Sequence, residues 1–151
     1  MTNIGDLLGN SADKIFQDSV KIGDVHLLSL DASNGITPKN GDTARNKFFI
    51  VLGFDKDGNV IGGVVINSNI NYNLPSVVTD YQLPVKVQQC PFLRYNSFVN
   101  CSRFVTAKKT KFTRRTYRGT ISDTELLELI TNTLKESPTV SPRILRKFGI
   151  I

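Results

Sequence analysis

The sequence has 151 residues, of which 40% are hydrophobic and 21% are charged. This length and composition fit one globular domain with its own core, so we expect residues 1–151 to form a single domain. No apolar run approaches the roughly 20 residues that a membrane-spanning helix needs. The N-terminal segment also lacks the basic start and apolar stretch of a secretory signal. We therefore expect a cytoplasmic protein with no membrane partner.

The formal net charge of +6 is concentrated in one part of the chain. Nine basic residues and no acidic residue lie between Tyr81 and Ser122, whereas the remainder carries −3, since ten basic residues face thirteen acidic ones. A surface charged in this way attracts anions, and nucleic acid is the commonest polyanion in a cell. The alternative is a solvated basic surface that only aids solubility.

The sequence offers few residues for metal or thiol chemistry. Cys90 and Cys101 can form a disulfide or remain two buried thiols, and the absence of an export signal favours the thiols. With one histidine and two cysteines at no recognised spacing, we predict no metal site and no cofactor. His26 falls among apolar neighbours, which is typical of a structural histidine with one satisfied ring nitrogen.

The first elements are a short helix and a strand. Apolar residues between Ile4 and Val20 have an imperfect helical spacing that Gly9-Asn10-Ser11 interrupts, so we expect a helix from near Ala12 that covers an edge of the sheet. The segment Gly23–Asp31 alternates as a strand with two apolar faces. A polar stretch of about fifteen residues then precedes the next strand and predicts a long surface loop.

The strongest structural signal is a hairpin. Two apolar runs, Phe48–Phe54 and Val60–Ile66, flank a turn that contains Asp57-Gly58. Both runs are continuously apolar, so we expect both faces of this hairpin to be covered by the rest of the chain. The pair Gly62-Gly63 predicts a bulge or bend that lets a small sheet curl into a barrel.

The second half of the chain predicts further strands and then a helix. Val77–Val87 indicates an edge strand because it contains Pro84, and more strand-like pieces follow at Phe98–Asn100 and Arg103–Phe112. The clearest helix begins with a capping-box pattern, Ser122 followed by Glu125, and ends before Pro138; the tail beyond it can add one more helical turn.

These elements define a mainly β fold with a C-terminal helix, arranged as a small SH3-like barrel. The barrel core covers residues 23–135, with an N-terminal helical extension at 1–22 and a C-terminal tail at 137–151.

Three segments of the sequence resemble the MazF/PemK-type toxins of bacterial toxin–antitoxin systems. Gly23–Asp31, GDVHLLSLD, is similar to the first strand of that family. Lys47 and the apolar strand after it stand where the family has an Arg-Pro pair and a valine-rich strand. Gly119–Leu126, GTISDTEL, is similar to the segment that leads into the family's last helix.

The resemblance implies a dimer-forming barrel of MazF/PemK type that cleaves single-stranded RNA without a metal and is bound by a cognate antitoxin-like protein. Such cleavage needs a cation at the scissile phosphate and a polar group that orients or shuttles protons. Lys47 matches the family's arginine before the second strand, and Ser68 matches the serine or threonine after the third strand. Arg45 is the substitute cation if the two basic residues have exchanged places.

Further contacts with RNA are expected from two places. Asn67 and Asn69 directly follow a buried strand and can hydrogen-bond a ligand or the local backbone. The basic stretch expected to attract RNA comprises Lys108, Lys109, Lys111, Arg114, Arg115 and Arg118. The alternative function is a barrel that does not cleave and only binds nucleic acid or a protein segment.

Overall fold

The computed structural model of this chain describes the backbone of residues 4–37 and 41–151 and the side chains of residues 11–37 and 41–151. Its strands are β1 (Asp24–Asp31), β2 (Ala44–Phe54), β3 (Val60–Asn67), β4 (Gln82–Val85), β5 (Ser97–Asn100), β6 (Val105–Lys108) and β7 (Tyr117–Thr120). Its helices are α1 (Ile4–Asp18), α2 (Ser76–Thr79), α3 (Thr124–Glu136) and α4 (Pro142–Lys147), with short 3₁₀ turns at Ala32–Asn34 and Lys109–Lys111. The fold is therefore mainly β with C-terminal helices, as predicted.

The described strands form one open antiparallel sheet in the order β4-β5-β3-β2-β1-β7. Strand β6 also pairs with β3, on the same edge as β5. The end of β3 at Ile66 and Asn67 pairs with β5, whereas its beginning, from Val60 to Gly63, pairs with β6. As a result, β5 and β6 extend along one line and are separated by the break between Asn100 and Val105.

The β2–β3 hairpin confirms the strongest signal in the sequence. Its register is interrupted between Val51 and Gly53, so the additional residue is Leu52 in β2 rather than a residue of β3. The predicted glycine pair lies directly opposite this bulge. A Cβ atom on Gly63 would stand 1.9 Å from the backbone oxygen of Ile50, and one on Gly62 would meet the ring of Phe104. The glycines therefore allow close packing on both sides of the bulged hairpin.

Both faces of the sheet are buried, as the continuous apolar runs predict. Phe49 and Ile50 are adjacent in β2 and fully buried, yet they belong to different core clusters because successive side chains point to opposite faces. One cluster packs under helices α3 and α4, with Leu126, Ile130 and Leu145 as buried anchors. The other cluster is closed by Phe112 and by Phe16 of α1.

Several boundaries differ from the predictions. Helix α1 continues through Gly9–Ser11 instead of beginning near Ala12, and residues 76–79 are helical where a strand was predicted. Helix α3 is capped by Asp123 rather than Ser122, because the Asp123 carboxylate accepts a hydrogen bond from the Leu126 N–H. Pro84 does lie in an edge strand, β4.

The predicted loop after β1 is shorter than expected, because β2 already begins at Ala44. Part of that loop, residues 38–40, and the first three residues of the predicted extension lie outside the described residues. The predicted turn in the C-terminal tail is α4, which buries Leu145. None of the described helices combines the length and the apolar character required to span a bilayer.

Candidate functional site

A cleft of about 890 Å³ lies at the end of the sheet where β2 begins and β3 ends. Its floor comes from these two strands, and its sides come from the chain that follows β3, from the ends of β4 and β5, and from the turn before α4. The volume is in the range typical of ligand-binding clefts. The polar and charged lining residues are Thr37, Arg45, Lys47, Asn67, Ser68, Asn69, Asn71, Thr79, Gln82, Asn100, Ser102, Arg103, Thr139 and Ser141.

The charge of the cleft is one-sided. Three cationic residues, Arg45, Lys47 and Arg103, line it, and no Asp, Glu or His is found among the described lining residues. The Lys47 ammonium donates a 2.6 Å hydrogen bond to Asn67 Oδ1, which holds it at the junction of β2 and β3. The Arg103 guanidinium donates to the backbone oxygen of Gly35, which ties the far side of the cleft to the loop after β1. Such a site favours an anionic ligand.

Amide and hydroxyl groups surround these cations. Asn100 Oδ1 accepts hydrogen bonds from Gln82 Nε2 at 2.8 Å and from the hydroxyl and backbone N–H of Ser102. With its oxygen occupied in this way, the Asn100 side chain has its amide N–H groups available as donors. Asn69 Nδ2 lies 3.4 Å from Ser68 Oγ, and both residues are exposed at the rim. The cleft therefore presents hydrogen-bond donors and acceptors beside its three cations.

Five of the predicted site residues lie together in this cleft: Arg45, Lys47, Asn67, Ser68 and Asn69. The hairpin explains why, because β2 and β3 are antiparallel and the start of one strand lies beside the end of the other.

The predicted basic stretch lies elsewhere, and none of its six residues is part of the described cleft lining. Lys108 pairs with Val60, at the opposite end of β3 from Asn67 and ~23 Å away along the strand. Lys109 forms an ion pair with Asp18 of α1, and Lys111 Nζ donates to the backbone oxygen of Ser29 at 2.8 Å.

The remaining residues of this stretch, Arg114, Arg115 and Arg118, are exposed. Arg118 Nη1 donates to the backbone oxygen of Arg115 at 2.7 Å.

Three further residues of the cleft, Arg103, Asn100 and Gln82, are not predicted as site residues from the sequence. They reach the cleft because β5 pairs with the last residues of β3, and its final residue, Asn100, pairs with Gln82 at the start of β4. The break between β5 and β6 then places Arg103 near the loop after β1, where it bonds the Gly35 backbone oxygen. The available signal was the polar sequence Asn100-Cys101-Ser102-Arg103, which interrupts two strand-like pieces. Short polar residues at a strand break are typical of ligand sites as well as of turns.

His26 lies in the core, away from the cleft. Its Nδ1 is 2.8 Å from Thr116 Oγ1, its Nε2 is buried with no partner among the described residues, and its ring packs on Phe112. Burial lowers the pKa of His26 to about 4; nearby Arg118 adds to that lowering, and Asp24 opposes it. The expectation of a structural histidine with one satisfied nitrogen is confirmed.

The two cysteines are also buried and unpaired with each other. Burial raises the pKa of the Cys90 thiol to about 11 and that of Cys101 to about 12, so neither is a reactive thiolate near neutral pH. This confirms the expectation of two buried thiols. Within the described side chains, residues 11–37 and 41–151, no three His, Cys, Asp or Glu side chains come together as a group that could hold a metal ion.

Comparisons with known proteins add no family to this geometry. No family model matches the sequence, and no curated protein matches it.

Proposed function

We propose that the protein binds single-stranded RNA, with the phosphodiester backbone held in the cleft by Arg45, Lys47 and Arg103. The observation that carries this proposal is the composition of the described cleft lining, which combines three cations with amides and hydroxyls and includes no acidic residue. Cations hold a nucleic-acid backbone, and side-chain amides can contact unpaired bases. The exposed ring of Tyr72, next to the lining residue Asn71, offers a surface on which a base can stack.

We further propose that the sheet curls into an SH3-like barrel similar to the MazF/PemK-type toxins. Two contacts support this proposal by joining the end of β1 to the chain around β6. Asn34 Nδ2 donates to the Thr106 backbone oxygen at 3.0 Å, and Lys111 Nζ donates to the Ser29 backbone oxygen. These contacts enclose the core cluster that contains Phe49 and Phe112. A curled sheet of this kind has fewer open edges than a flat one.

Metal-independent cleavage of the bound RNA is the second candidate function. In such a reaction the ribose 2′-oxygen attacks the adjacent phosphorus, its proton passes to a base, and the 5′-oxygen leaves with a proton. The common location of Arg45, Lys47 and Ser68 favours this candidate, because the cations would stabilise the added negative charge and the hydroxyl would orient the reacting groups. The described lining offers no carboxylate or imidazole as the base, which favours binding over cleavage.

The two candidates separate in one experiment with purified protein and a mixed-sequence single-stranded RNA. If the protein only binds, the RNA should stay intact and show a salt-sensitive gel shift. If the protein cleaves, fragments should form even when EDTA removes metal ions, and they should not form from the 2′-deoxy analogue. RNA that is neither bound nor cut at low salt would overturn the proposed function. A matched single-stranded DNA and a duplex RNA serve as controls for strand type.

The resemblance also implies a homodimer and an antitoxin-like protein partner, and both belong to this proposal. Light scattering across a concentration series tests the dimer. Growth arrest on expression in bacteria, relieved by a neighbouring small gene, tests the toxin function and its partner.

A further inference from the structure

The cleft continues onto a second cationic surface, for which the sequence predicts no function. Ser141 and Ile144 line both the cleft and an adjoining depression whose other residues are Arg143, Arg146 and Lys147. These three cations are spaced at i, i+3 and i+4 on α4, so they project from one face of the helix. All three are exposed. We call them the α4 basic face.

Helix α4 is held firmly beside the cleft. The turn before it is anchored by Thr139 Oγ1, which donates to the backbone oxygen of Ser102, next to the cleft residue Arg103. After the helix, the ring of Phe148 packs on Phe104 with ring centroids 5.2 Å apart. Leu145 is buried in the core between these two anchors. The basic face is therefore fixed relative to Arg103 instead of being part of a mobile tail.

Helix stability does not account for all three cations. Arg146 and Lys147 lie in the last turn, where positive charge is favoured by the helix dipole. Arg143 lies in the first turn, where the same dipole opposes a cation. No described carboxylate forms an ion pair with the α4 basic face. The ion pair found among the described residues joins Lys109 to Asp18. The face remains available to an external anion.

We propose that single-stranded RNA leaves the cleft across the α4 basic face, so that Arg143, Arg146 and Lys147 bind the phosphates that follow those held in the cleft. This inference rests on the proposed function and extends it by assigning the path of the strand. The basic stretch from Lys108 to Arg118 is the competing path, but Lys108 lies at the opposite end of β3 from Asn67 and no described residue of the stretch lines the cleft. The α4 basic face, in contrast, directly adjoins the cleft, because Ser141 and Ile144 line both surfaces.

The test compares two triple variants with the same charge change. Arg143→Gln/Arg146→Gln/Lys147→Gln removes the α4 basic face, and Lys108→Gln/Arg114→Gln/Arg115→Gln removes three exposed cations of the competing path. Each variant is titrated with a labelled uridine trinucleotide and with an oligouridylate of about fifteen nucleotides, at several salt concentrations. Circular dichroism checks that both variants fold like the wild type.

The proposal expects the α4 variant to bind the trinucleotide like the wild type and to bind the longer RNA about tenfold or more weakly at moderate salt. The slope of log affinity against log salt should fall in magnitude by about 2, because three phosphate contacts are lost and each contributes roughly 0.7 for a single strand. The matched variant should keep the wild-type affinity and slope.

Equal losses in the two variants, or a loss confined to the matched variant, would overturn the proposed path while leaving RNA binding in the cleft intact. A wild-type protein that binds neither RNA would instead overturn the proposed function itself.

Discussion

Lys47 on β2 and Asn67 on β3 face each other across the hairpin, with Lys47 Nζ 2.6 Å from Asn67 Oδ1. Their pairing depends on the bulge, because the register near the turn matches Phe54 with Ile61, and the additional residue Leu52 shifts it by one. If Leu52 were paired in the register of the turn instead of bulged, Lys47 would lie opposite Ser68. The bulge in the core therefore decides which polar group orients the cation of the cleft.

Replacement of Lys47 by alanine tests the role of this cation. We expect Lys47→Ala to weaken RNA binding about tenfold or more, because a hydrogen bond to a charged group contributes roughly 1.5–3 kcal/mol. The slope of log affinity against log salt should also fall by about 0.7. Fluorescence anisotropy with a labelled RNA measures both quantities. Asn46→Ala, an exposed neighbour that is not part of the described lining, is the control and should bind normally.

Replacement of Asn67 by aspartate tests the contact between Lys47 and Asn67, because it should raise stability and weaken RNA binding. A carboxylate beside the Lys47 ammonium forms a half-buried ion pair, so we expect Asn67→Asp to raise the free energy of unfolding by up to about 1 kcal/mol. RNA affinity should fall about tenfold, because the added charge cancels one cation of the cleft. Urea denaturation and anisotropy provide the two measurements.

The matched control for this variant is Asn69→Asp, which adds the same charge at an exposed position of the cleft. It should weaken binding less and leave stability unchanged. An Asn67→Asp protein with unchanged RNA affinity would contradict the assignment of the cleft as the anion site.

Tyr72 tests whether the RNA bases contact the rim of the cleft. Its side chain is 79% exposed and lies between cleft residues Asn71 and Leu74. We expect Tyr72→Ala to weaken binding of single-stranded RNA about fivefold or more, since stacking of a base on an aromatic ring contributes roughly 1–3 kcal/mol. Tyr72→Phe should retain the wild-type affinity. Tyr95→Ala is the matched control, because Tyr95 is 63% exposed and is not part of the described lining.

The sequence predicts the hairpin and the C-terminal helix because their signals are local. Apolar runs on either side of Asp57-Gly58 predict the hairpin, and the apolar stripe of α3 predicts the helix. The hairpin in turn brings Lys47 near Ser68, so half of the cleft follows from local patterns. The sequence does not decide which residue caps α3, since Ser122 and Asp123 are both suitable N-cap residues.

The other half of the cleft depends on pairings between distant parts of the chain. Arg103 reaches it because β5 and β6 pair with the two ends of the same strand, β3. No local pattern predicts which strand a short segment such as Val105–Lys108 will join, because its partner is more than forty residues away. For the same reason, the charge of the Lys108–Arg118 stretch predicts an RNA contact there, but the sequence cannot show that Lys108 lies at the other end of β3 from Asn67.

Gly63 tests the close packing at the bulge. A Cβ atom at this position would stand 1.9 Å from the Ile50 backbone oxygen, so β2 and β3 would have to separate. We expect Gly63→Ala to lower the free energy of unfolding by about 3 kcal/mol or more, as measured by urea denaturation. Gly58→Ala is the comparison, because Gly58 has a φ of +71° but open space where a Cβ atom would stand. That variant should lose only about 1 kcal/mol, from backbone strain.

The buried His26 should make the stability of the protein depend on pH. Its pKa falls from 6.5 to about 4 on folding, so between these values the unfolded chain binds a proton that the folded chain does not. The free energy of unfolding should therefore fall as the pH is lowered from about 6.5 to 4, by up to about 3 kcal/mol. Asp18 and Asp31, whose pKa values are lowered by hydrogen bonds from Lys109 and Ser33 respectively, reduce stability only below their ordinary value of 3.8.

The matched variant is His26→Phe, which keeps an aromatic ring against Phe112 and removes the buried Nε2. Thr116 Oγ1 retains a partner in this variant because it also donates to the Thr113 backbone oxygen at 3.1 Å. We expect the His26→Phe protein to show a flat stability profile between pH 6.5 and 4, measured by urea denaturation at each pH. If its stability falls with the wild-type slope in this range, another group is responsible and His26 is not the residue that titrates on acid unfolding.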